Sequence, residues 1–241
     1  MADREIGFVF PVVPPVPNGI GDYTACLAAT MAQSGPCTVY TEAGEHDEIP
    51  GVRMLSSQSN FSSEGGLLHL LEQDRPDVLL IQYNPFSYGR WGLNLRFPET
   101  IRQIRKRFPS VRLALMVHEA FVPLASAKEA VMTTWQRYQL YRLGRSVDLI
   151  FFSIELWAKR FRTWFPGKPI VHAPVGSNIP CLDISKQDAR DALGIAPDRL
   201  VLGAFGGDHE SRMWDWVVDS AEAVAEVHPQ TEFLYAGSAG D

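Results

Sequence analysis

The chain has 241 residues and is 46% hydrophobic, a composition typical of globular proteins and unlike that of disordered chains. No apolar run approaches the roughly 20 residues of a membrane-spanning helix, and the opening MADREIGFVF lacks the apolar centre of a signal peptide. A formal net charge of −6 without a recognisable nucleic-acid motif argues against a nucleic-acid partner. We therefore expect a cytoplasmic protein.

Strand-like and helix-like segments alternate along the first two thirds of the chain, which predicts a Rossmann-like parallel sheet with helices on both faces. EIGFVFPVV reads as the first strand, and DYTACLAATMAQSG as the helix that follows a proline-rich loop. CTVYT, DVLLIQYNPF, VRLALMVHEA, DLIFFSI and KPIVHAPVGSN read as further strands, with helices between most of them. The polar stretch GEHDEIPGVRMLSSQSNFSSEGG reads as a loop.

A domain boundary is predicted after residue 178, where a short proline-containing stretch begins. Beyond it QDARDALGI and MWDWVVDSAEAVAEVHP read as helices, and RLVLGAFGG and TEFLYAGSAGD as strands. Two strands are too few for the core of a doubly wound domain. We therefore expect residues 1–178 to form one domain and residues 179–241 to form the start of an incomplete second Rossmann-like domain.

The segment from Arg90 to Lys168 carries 15 basic and 5 acidic residues, so its charge is opposite to that of the whole chain. Within it, RQIRKRF places four cations on one predicted helix, namely Arg102, Arg105, Lys106 and Arg107. A solvated helix face is one interpretation. The alternative is a surface for a phosphorylated acceptor or for anionic lipid at the inner membrane face.

Two closely spaced glycines, Gly19 and Gly21, follow the proline-rich loop in PVPNGIGDYT. They either form a turn or let backbone amides approach an anion at a helix start. With Thr24 and the later Glu42 they also imitate part of a dinucleotide fingerprint, although the long loop and the missing third glycine fit that pattern poorly. Asp22 has the composition of an N-cap or first-turn acid.

Several short motifs, in their order, resemble the retaining glycosyltransferases of family 4, which have the two-domain GT-B architecture. These motifs are PVPNGIGDYT, DVLLIQYNP, LALMVHE, PIVHAPVGSNIP and LVLGAFGGDHESRMWDWVVDSAEAV. The resemblance implies that Gly19, Gly21 and Arg212 bind the donor diphosphate. It also implies that His118 is a catalytic-site histidine close to the transferred sugar.

The activity implied by the resemblance is transfer of a sugar from a nucleotide-diphosphate donor to an acceptor hydroxyl of a glycan, lipid or small molecule, with retention. The nucleotide-sugar is then a co-substrate, and neither a metal nor another cofactor is expected. The family's glutamate pair and base pocket have no counterpart before Asp241, so we expect the 241-residue chain alone to be inactive.

Two alternatives to a transferase remain at this point. One is a non-catalytic module that binds a glycan, a lipid headgroup or a protein, and the other is a nicotinamide-dependent oxidoreductase. Exposed aromatic residues in the second domain also predict self-association or a partner chain; the candidates are Trp214, Trp216, Phe233 and Tyr235.

Overall fold

A computed structural model describes residues 4–42, 44–179, 181–206 and 213–237. The chain divides into two compact units, Met1–Ile179 and Pro180–Asp241. Among the described residues, none of the helices combines the length and the apolar character needed to cross a bilayer.

The N-terminal unit alternates strands and helices along the chain. Its strands are β1 (Ile6–Val9), β2 (Cys37–Thr41), β3 (Val52–Ser56), β4 (Val78–Tyr83), β5 (Arg112–Val117), β6 (Leu149–Phe152) and β7 (Ile170–His172). Its helices are α1 (Gly19–Met31), α2 (Leu67–Gln73), α3 (Pro85–Tyr88), α4 (Arg96–Arg107), α5 (Ala127–Ser146) and α6 (Glu155–Phe161), with a 3-10 turn at Arg90–Gly92.

The seven strands form one parallel sheet in the order β3-β2-β1-β4-β5-β6-β7. The chain builds outward from β1 to β3 and then returns to the other side of β1 with β4. The order of the strands therefore reverses between β1 and β4. In open parallel sheets ligands bind outside the carboxyl ends of the strands at such a reversal.

Alternation along the strands explains how both faces of the sheet are covered. Val9 and its register partner Ile81 belong to a large buried cluster that also contains residues of α2, α4, α5 and α6. Phe8 belongs to a second buried cluster, which contains Ala28 of α1. Successive strand residues point to opposite faces, so the sheet is buried between two helical layers, as its nearly continuous apolar strands require.

A charged network ties the amino ends of the first three strands together. The Arg53 guanidinium of β3 lies 2.7 Å from the Glu5 carboxylate and 2.6 Å from that of Asp74, and it also bonds to the Thr38 hydroxyl. The Asp74 carboxylate in addition accepts a hydrogen bond from the buried Tyr40 hydroxyl at 2.8 Å. This network lies at the amino ends of the strands, whereas ligands at the strand reversal are expected at the carboxyl ends.

The C-terminal unit contains the parallel pair β8 (Leu200–Phe205) and β9 (Thr231–Ala236), with helices α7 (Lys186–Leu193) and α8 (Trp214–Val227). Both helices lack buried residues. Helix α7 begins at the N-cap Ser185 and ends at Gly194, whose φ of +68° is the left-handed C-cap conformation that glycine adopts easily.

Two local predictions were wrong. β3 lies in the stretch interpreted as loop, because VRMLS is a half-exposed edge strand and lacks the apolar run of a central one. Helix α1 begins at Gly19, several residues before the predicted start, so both glycines lie in its first turn. The reason is Asn18, whose side-chain oxygen accepts hydrogen bonds from the amides of Ile20 and Gly21 and caps the helix.

Candidate functional site

The candidate site lies where the strand order reverses, at the carboxyl ends of β1, β4 and β5. The loop after β1 leads to Asn18 and helix α1, and β4 is followed by Asn84, the N-cap of the short helix α3. β5 is followed directly by His118 and Glu119. Parallel pairing brings these three chain segments side by side.

The two glycines of α1 have different surroundings. A Cβ atom on Gly21 would lie 2.6 Å from the carbonyl oxygen of Val12, so this glycine lets the helix pack against the loop before it. A Cβ atom on Gly19 would have no atom within 4 Å, so its backbone faces open space. Gly21 therefore has a packing role in the structure, whereas Gly19 borders the site.

The start of α1 offers less to an anion than the sequence pattern indicates. The amides of Ile20 and Gly21 already donate to Asn18 at 3.0 Å each, and Asp22 adds a negative charge to the first turn. A helix N-terminus attracts anions through unpaired amides and its positive dipole end. Both contributions are partly offset here by the helix's own residues.

An open depression of about 400 Å³ lies at this point. Its lining consists of Asn18, Gly19, Ile20, Asn84, Phe86, Ser87 and Glu119. The lining offers two carboxamides, a hydroxyl, a carboxylate and an exposed aromatic ring, and it contains no lysine or arginine. The N-cap residues Asn18 and Asn84 are held by hydrogen bonds from the helix amides behind them. This set of groups suits a neutral ligand with several hydroxyls better than a diphosphate.

His118 is positioned by groups on two neighbouring elements. Its Nε2 lies 2.7 Å from the Oε1 of Gln82, a fully buried residue of β4, and its ring makes an edge contact with Tyr23 of α1 at 5.2 Å. The backbone amide of His118 donates to the carbonyl of Tyr83. The Gln82 Oε1 thus accepts a hydrogen bond from the Nε2–H group and fixes the ring, which leaves Nδ1 as the acceptor of the neutral imidazole.

Burial lowers the pKa of His118 to about 4, because the charged imidazolium would be poorly solvated there. The histidine is therefore neutral near pH 7. A second hollow, of about 270 Å³, begins at His118 and is otherwise mostly apolar, with Phe121, Val122 and Trp157 in its wall. Glu119 lines both hollows.

The predicted basic surface on α4 is largely paired within the protein. Arg105 makes two 2.6 Å bonds to the Asp148 carboxylate, Arg107 lies 2.8 Å from Glu72, and Arg102 pairs with Glu99. The guanidinium of Arg102 also contributes most to lowering the pKa of Glu99 to about 2. Less free positive charge is therefore presented by Arg102, Arg105, Lys106 and Arg107 than the sequence alone indicates.

Other predicted residues lie apart from the depression or outside the described part of the chain. Arg212 belongs to the residues that the structure does not describe. The Glu42 carboxylate accepts a 2.7 Å hydrogen bond from the amide of Phe61, and Thr24 is buried with its hydroxyl donating to the Ile20 carbonyl. Both groups are thus engaged in local structure.

Sequence reasoning missed Gln82, Asn84 and Glu119. A signal existed in each case, because each lies at or just after the carboxyl end of a predicted strand. Gln82 is also a polar residue inside the apolar run DVLLIQY, where a buried amide needs a partner. That partner is His118, which directly follows the adjacent strand β5.

The arrangement of the sheet and its helices identifies the fold class. The seven-stranded parallel sheet flanked by helices is the Rossmann-like arrangement of GT-B proteins, so the predicted fold class is confirmed. No protein-family model and no curated protein matches the sequence.

Several solved structures are similar in fold to nearly the whole chain. Sucrose-phosphate synthase from Thermosynechococcus elongatus has a TM-score of 0.64 at 15% identity, over 98% of this chain and 63% of that one. Trehalose-6-phosphate synthase from Burkholderia multivorans has a TM-score of 0.60 at 11% identity, over 100% and 64%. HepE from Anabaena, in complex with UDP and glucose, has a TM-score of 0.57 at 17% identity, over 97% and 61%. Such identities show the fold alone, and the chain spans less than two thirds of each of these proteins.

Proposed function

We propose that this chain is the acceptor-side domain, with the start of the nucleotide-sugar-binding domain, of a retaining glycosyltransferase of family 4. The observation that carries the proposal is the polar depression at the strand reversal, which is lined by carboxamides, a hydroxyl and a carboxylate, contains no lysine or arginine and lies next to a neutral histidine. The solved structures of the same fold include one in complex with UDP and glucose, which supports a nucleotide-sugar donor.

The depression is assigned to the acceptor, because its groups match sugar hydroxyls. The Asn18 and Asn84 side chains can donate hydrogen bonds through their Nδ2 groups, since their oxygens are engaged by helix amides; Ser87 can donate and accept, and the Glu119 carboxylate accepts. The exposed ring of Phe86 adds an apolar surface for the face of a sugar ring. Binding of the donor diphosphate by Gly19, Gly21 and Arg212 remains a prediction from the sequence.

In the proposed reaction the bond between the donor's anomeric carbon and the diphosphate oxygen breaks, and a bond from that carbon to the acceptor oxygen forms on the same face. The acceptor proton leaves with the nucleoside diphosphate. The neutral His118, fixed by Gln82, accepts a hydrogen bond at Nδ1 and orients a hydroxyl. The scheme uses no metal and no cofactor besides the nucleotide-sugar.

A binding experiment on the 241-residue chain tests the acceptor site. Two-dimensional NMR spectra would be recorded with methyl glucoside as a neutral sugar and with inorganic diphosphate as the anion. We expect the sugar, and not the diphosphate, to shift the amide signals of Asn18, Asn84 and Glu119. Shifts caused only by diphosphate would reassign the depression to the donor.

A matched pair of variants locates the effect. Glu119→Gln should weaken sugar binding several-fold, because a charge-assisted hydrogen bond becomes a neutral one. Glu155→Gln changes another exposed carboxylate, which pairs with Lys159 on α6, and should have no effect. Equal losses in both variants would contradict the assignment.

The natural protein tests the reaction itself. Release of nucleoside diphosphate would be measured with a panel of UDP- and GDP-sugars, and NMR of the product would report the anomeric configuration. Retention supports the proposal and inversion contradicts it. Sugar binding without any transfer would favour the non-catalytic module, and binding of NAD instead would favour the oxidoreductase.

A further inference from the structure

A short loop after α3 holds one tryptophan outward in a strained backbone conformation. Trp91 has φ of +56°, the only positive φ among the described non-glycine residues, and its side chain is 54% exposed. Left-handed backbone is unfavourable for a bulky residue and persists only where the surroundings enforce it.

Two buried glutamines of α5 enforce this conformation. The Trp91 carbonyl accepts hydrogen bonds from Gln136 Nε2 at 3.3 Å and from Trp135 Nε1 at 3.2 Å. Gln139 bonds to the Gly92 carbonyl at 2.8 Å and to the Asn94 amide at 2.6 Å. Side chains of α5 therefore hold the loop in a conformation that exposes the indole ring of Trp91.

The exposed indole is flanked by cations. The Arg90 guanidinium lies 5.1 Å from the centre of the Trp91 ring, and the Lys128 ammonium lies 5.8 Å from it. Within the described part of the chain neither cation has an ion-pair partner, in contrast to three of the four cations in the predicted basic cluster on α4. Their charge is thus available to an external anion.

Apolar residues surround the same point. Leu93 and Leu95 continue the loop with 44% and 52% of their surface exposed, and Val131 is 58% exposed one turn after Lys128. Helical spacing extends this stripe of α5 to Trp135, Tyr138 and Arg145, and also to Arg142, whose guanidinium lies 3.4 Å from the Glu99 carboxylate of α4. The Arg142 guanidinium lies 5.6 Å from the centre of the Tyr138 ring, which repeats the pairing of an aromatic ring with a cation.

We propose that this surface, which comprises the loop 90–95 and the Lys128–Val131–Trp135–Tyr138 stripe of α5, binds the headgroup region of an anionic lipid bilayer. Tryptophan and tyrosine favour the membrane interface because one end of each ring system is apolar and the other is polar. Leucine and valine beside them enter the acyl boundary, while lysine and arginine pair with lipid phosphates. The interface is distinct from Arg102, Arg105, Lys106 and Arg107, and its binding does not depend on the proposed transferase activity.

Sedimentation with vesicles tests the proposal on the full 241-residue chain. Vesicles of phosphatidylcholine alone would be compared with vesicles that also contain phosphatidylglycerol, each at low and high salt. We expect binding to the anionic vesicles to be stronger by about tenfold or more, and to weaken at high salt. Equal binding to both kinds of vesicle, or binding to neither, would overturn the proposal.

Trp91→Asn separates a binding role from a structural one. Asparagine tolerates left-handed backbone, so the melting temperature should change little while binding to anionic vesicles falls about tenfold. Trp216→Gln is the matched control, because Trp216 is an exposed tryptophan of the C-terminal unit, and it should bind as the wild type does. Normal lipid binding by a folded Trp91→Asn variant would overturn the proposal.

A pair of double variants locates the charge. Arg90→Gln with Lys128→Gln should remove most of the preference for anionic vesicles. Arg102→Gln with Lys106→Gln removes as many charges from α4 and should leave most of it. The reverse result would place the lipid surface on α4 and overturn the assignment to the Trp91 loop.

Discussion

The two units of the chain contain the same kinds of elements and differ in what those elements bury. In the N-terminal unit the larger of two buried clusters joins the strands to helices α2 to α6, and residues such as Leu115 and Ile150 are fully buried. Among the described residues of the C-terminal unit only Ile195 is buried. Trp216 and Val227 there are 66% and 73% exposed.

Secondary structure can therefore form in a segment of this chain that buries almost none of its described side chains. Helix α7 has a serine N-cap and a glycine C-cap, so its bounds follow from local chemistry without any buried residue. Burial of apolar surface supplies most of the stability of a domain. The same substitution should therefore have very different effects in the two units.

The largest expected contrast is between two leucines in strands. Leu115→Ala removes a side chain that is fully buried in β5, which should lower the free energy of unfolding by about 3–5 kcal/mol through lost burial and a cavity. Leu234→Ala removes one that is 38% exposed in β9 and should cost less than about 1 kcal/mol. Urea unfolding followed by circular dichroism measures both, and similar losses would show that the C-terminal unit has a core of its own.

His118 should make the stability of the N-terminal unit depend on pH. Its pKa is about 4 in the folded chain and near 6.5 in the unfolded one, so between these values only the unfolded chain binds the proton. The contribution of His118 to the free energy of unfolding is therefore fully present above pH 6.5. It falls as the pH decreases toward 4, by at most about 3 kcal/mol. Urea midpoints at pH 7 and pH 5 measure the slope, and His118→Asn should reduce it; an unchanged slope would assign the dependence to other groups.

Two glycines should respond in opposite directions. Gly21→Ala places a Cβ atom 2.6 Å from the Val12 carbonyl and should destabilise the N-terminal unit by about 1–3 kcal/mol. Gly203→Ala on β8 meets no atom within 4 Å and should stabilise its strand by up to about 1 kcal/mol. Thermal unfolding distinguishes them, with Gly19→Ala as a second open position; a tolerated Gly21→Ala would mean that the loop before α1 can move.

The smallest contrast concerns ion pairs. Arg105→Met removes the two 2.6 Å bonds to Asp148 and should cost about 1 kcal/mol or less. Arg199→Met removes a 3.5 Å contact with Glu232 between half-exposed side chains and should change little. Thermal melts at low and high salt provide the measurement, since only the Arg105 effect should shrink with salt.

Much of the fold was predictable because its signals are local. Apolar runs such as DVLLIQY give the central strands, and the alternation of strands with helices gives a parallel sheet. The edge strand β3 was missed because it is only half-buried. The start of α1 was missed because the helix was predicted to begin at Asp22, whereas Asn18 caps it. In both cases polar residues in or beside the element led to the wrong bounds.

The site was predictable only in part. His118 follows a strand that was recognised, so its position at the carboxyl end of the sheet could be inferred. Its bond to Gln82 depends on which strands are neighbours, and the strand order cannot be read from the sequence alone. The conformation of Trp91 depends on glutamines 45 and more residues away, and no local pattern indicates it.

Because of the network around Arg53, the contacts that hold the strands together and the residues of the candidate site lie at opposite ends of the sheet. The network joins Glu5, Thr38 and Asp74 at the amino ends of the strands, and the Arg105–Asp148 pair lies at the amino end of β6. The candidate site occupies the opposite ends. Loops there can therefore change in length and composition during evolution, and new ligands can be selected, while the contacts that hold the strands in order remain untouched.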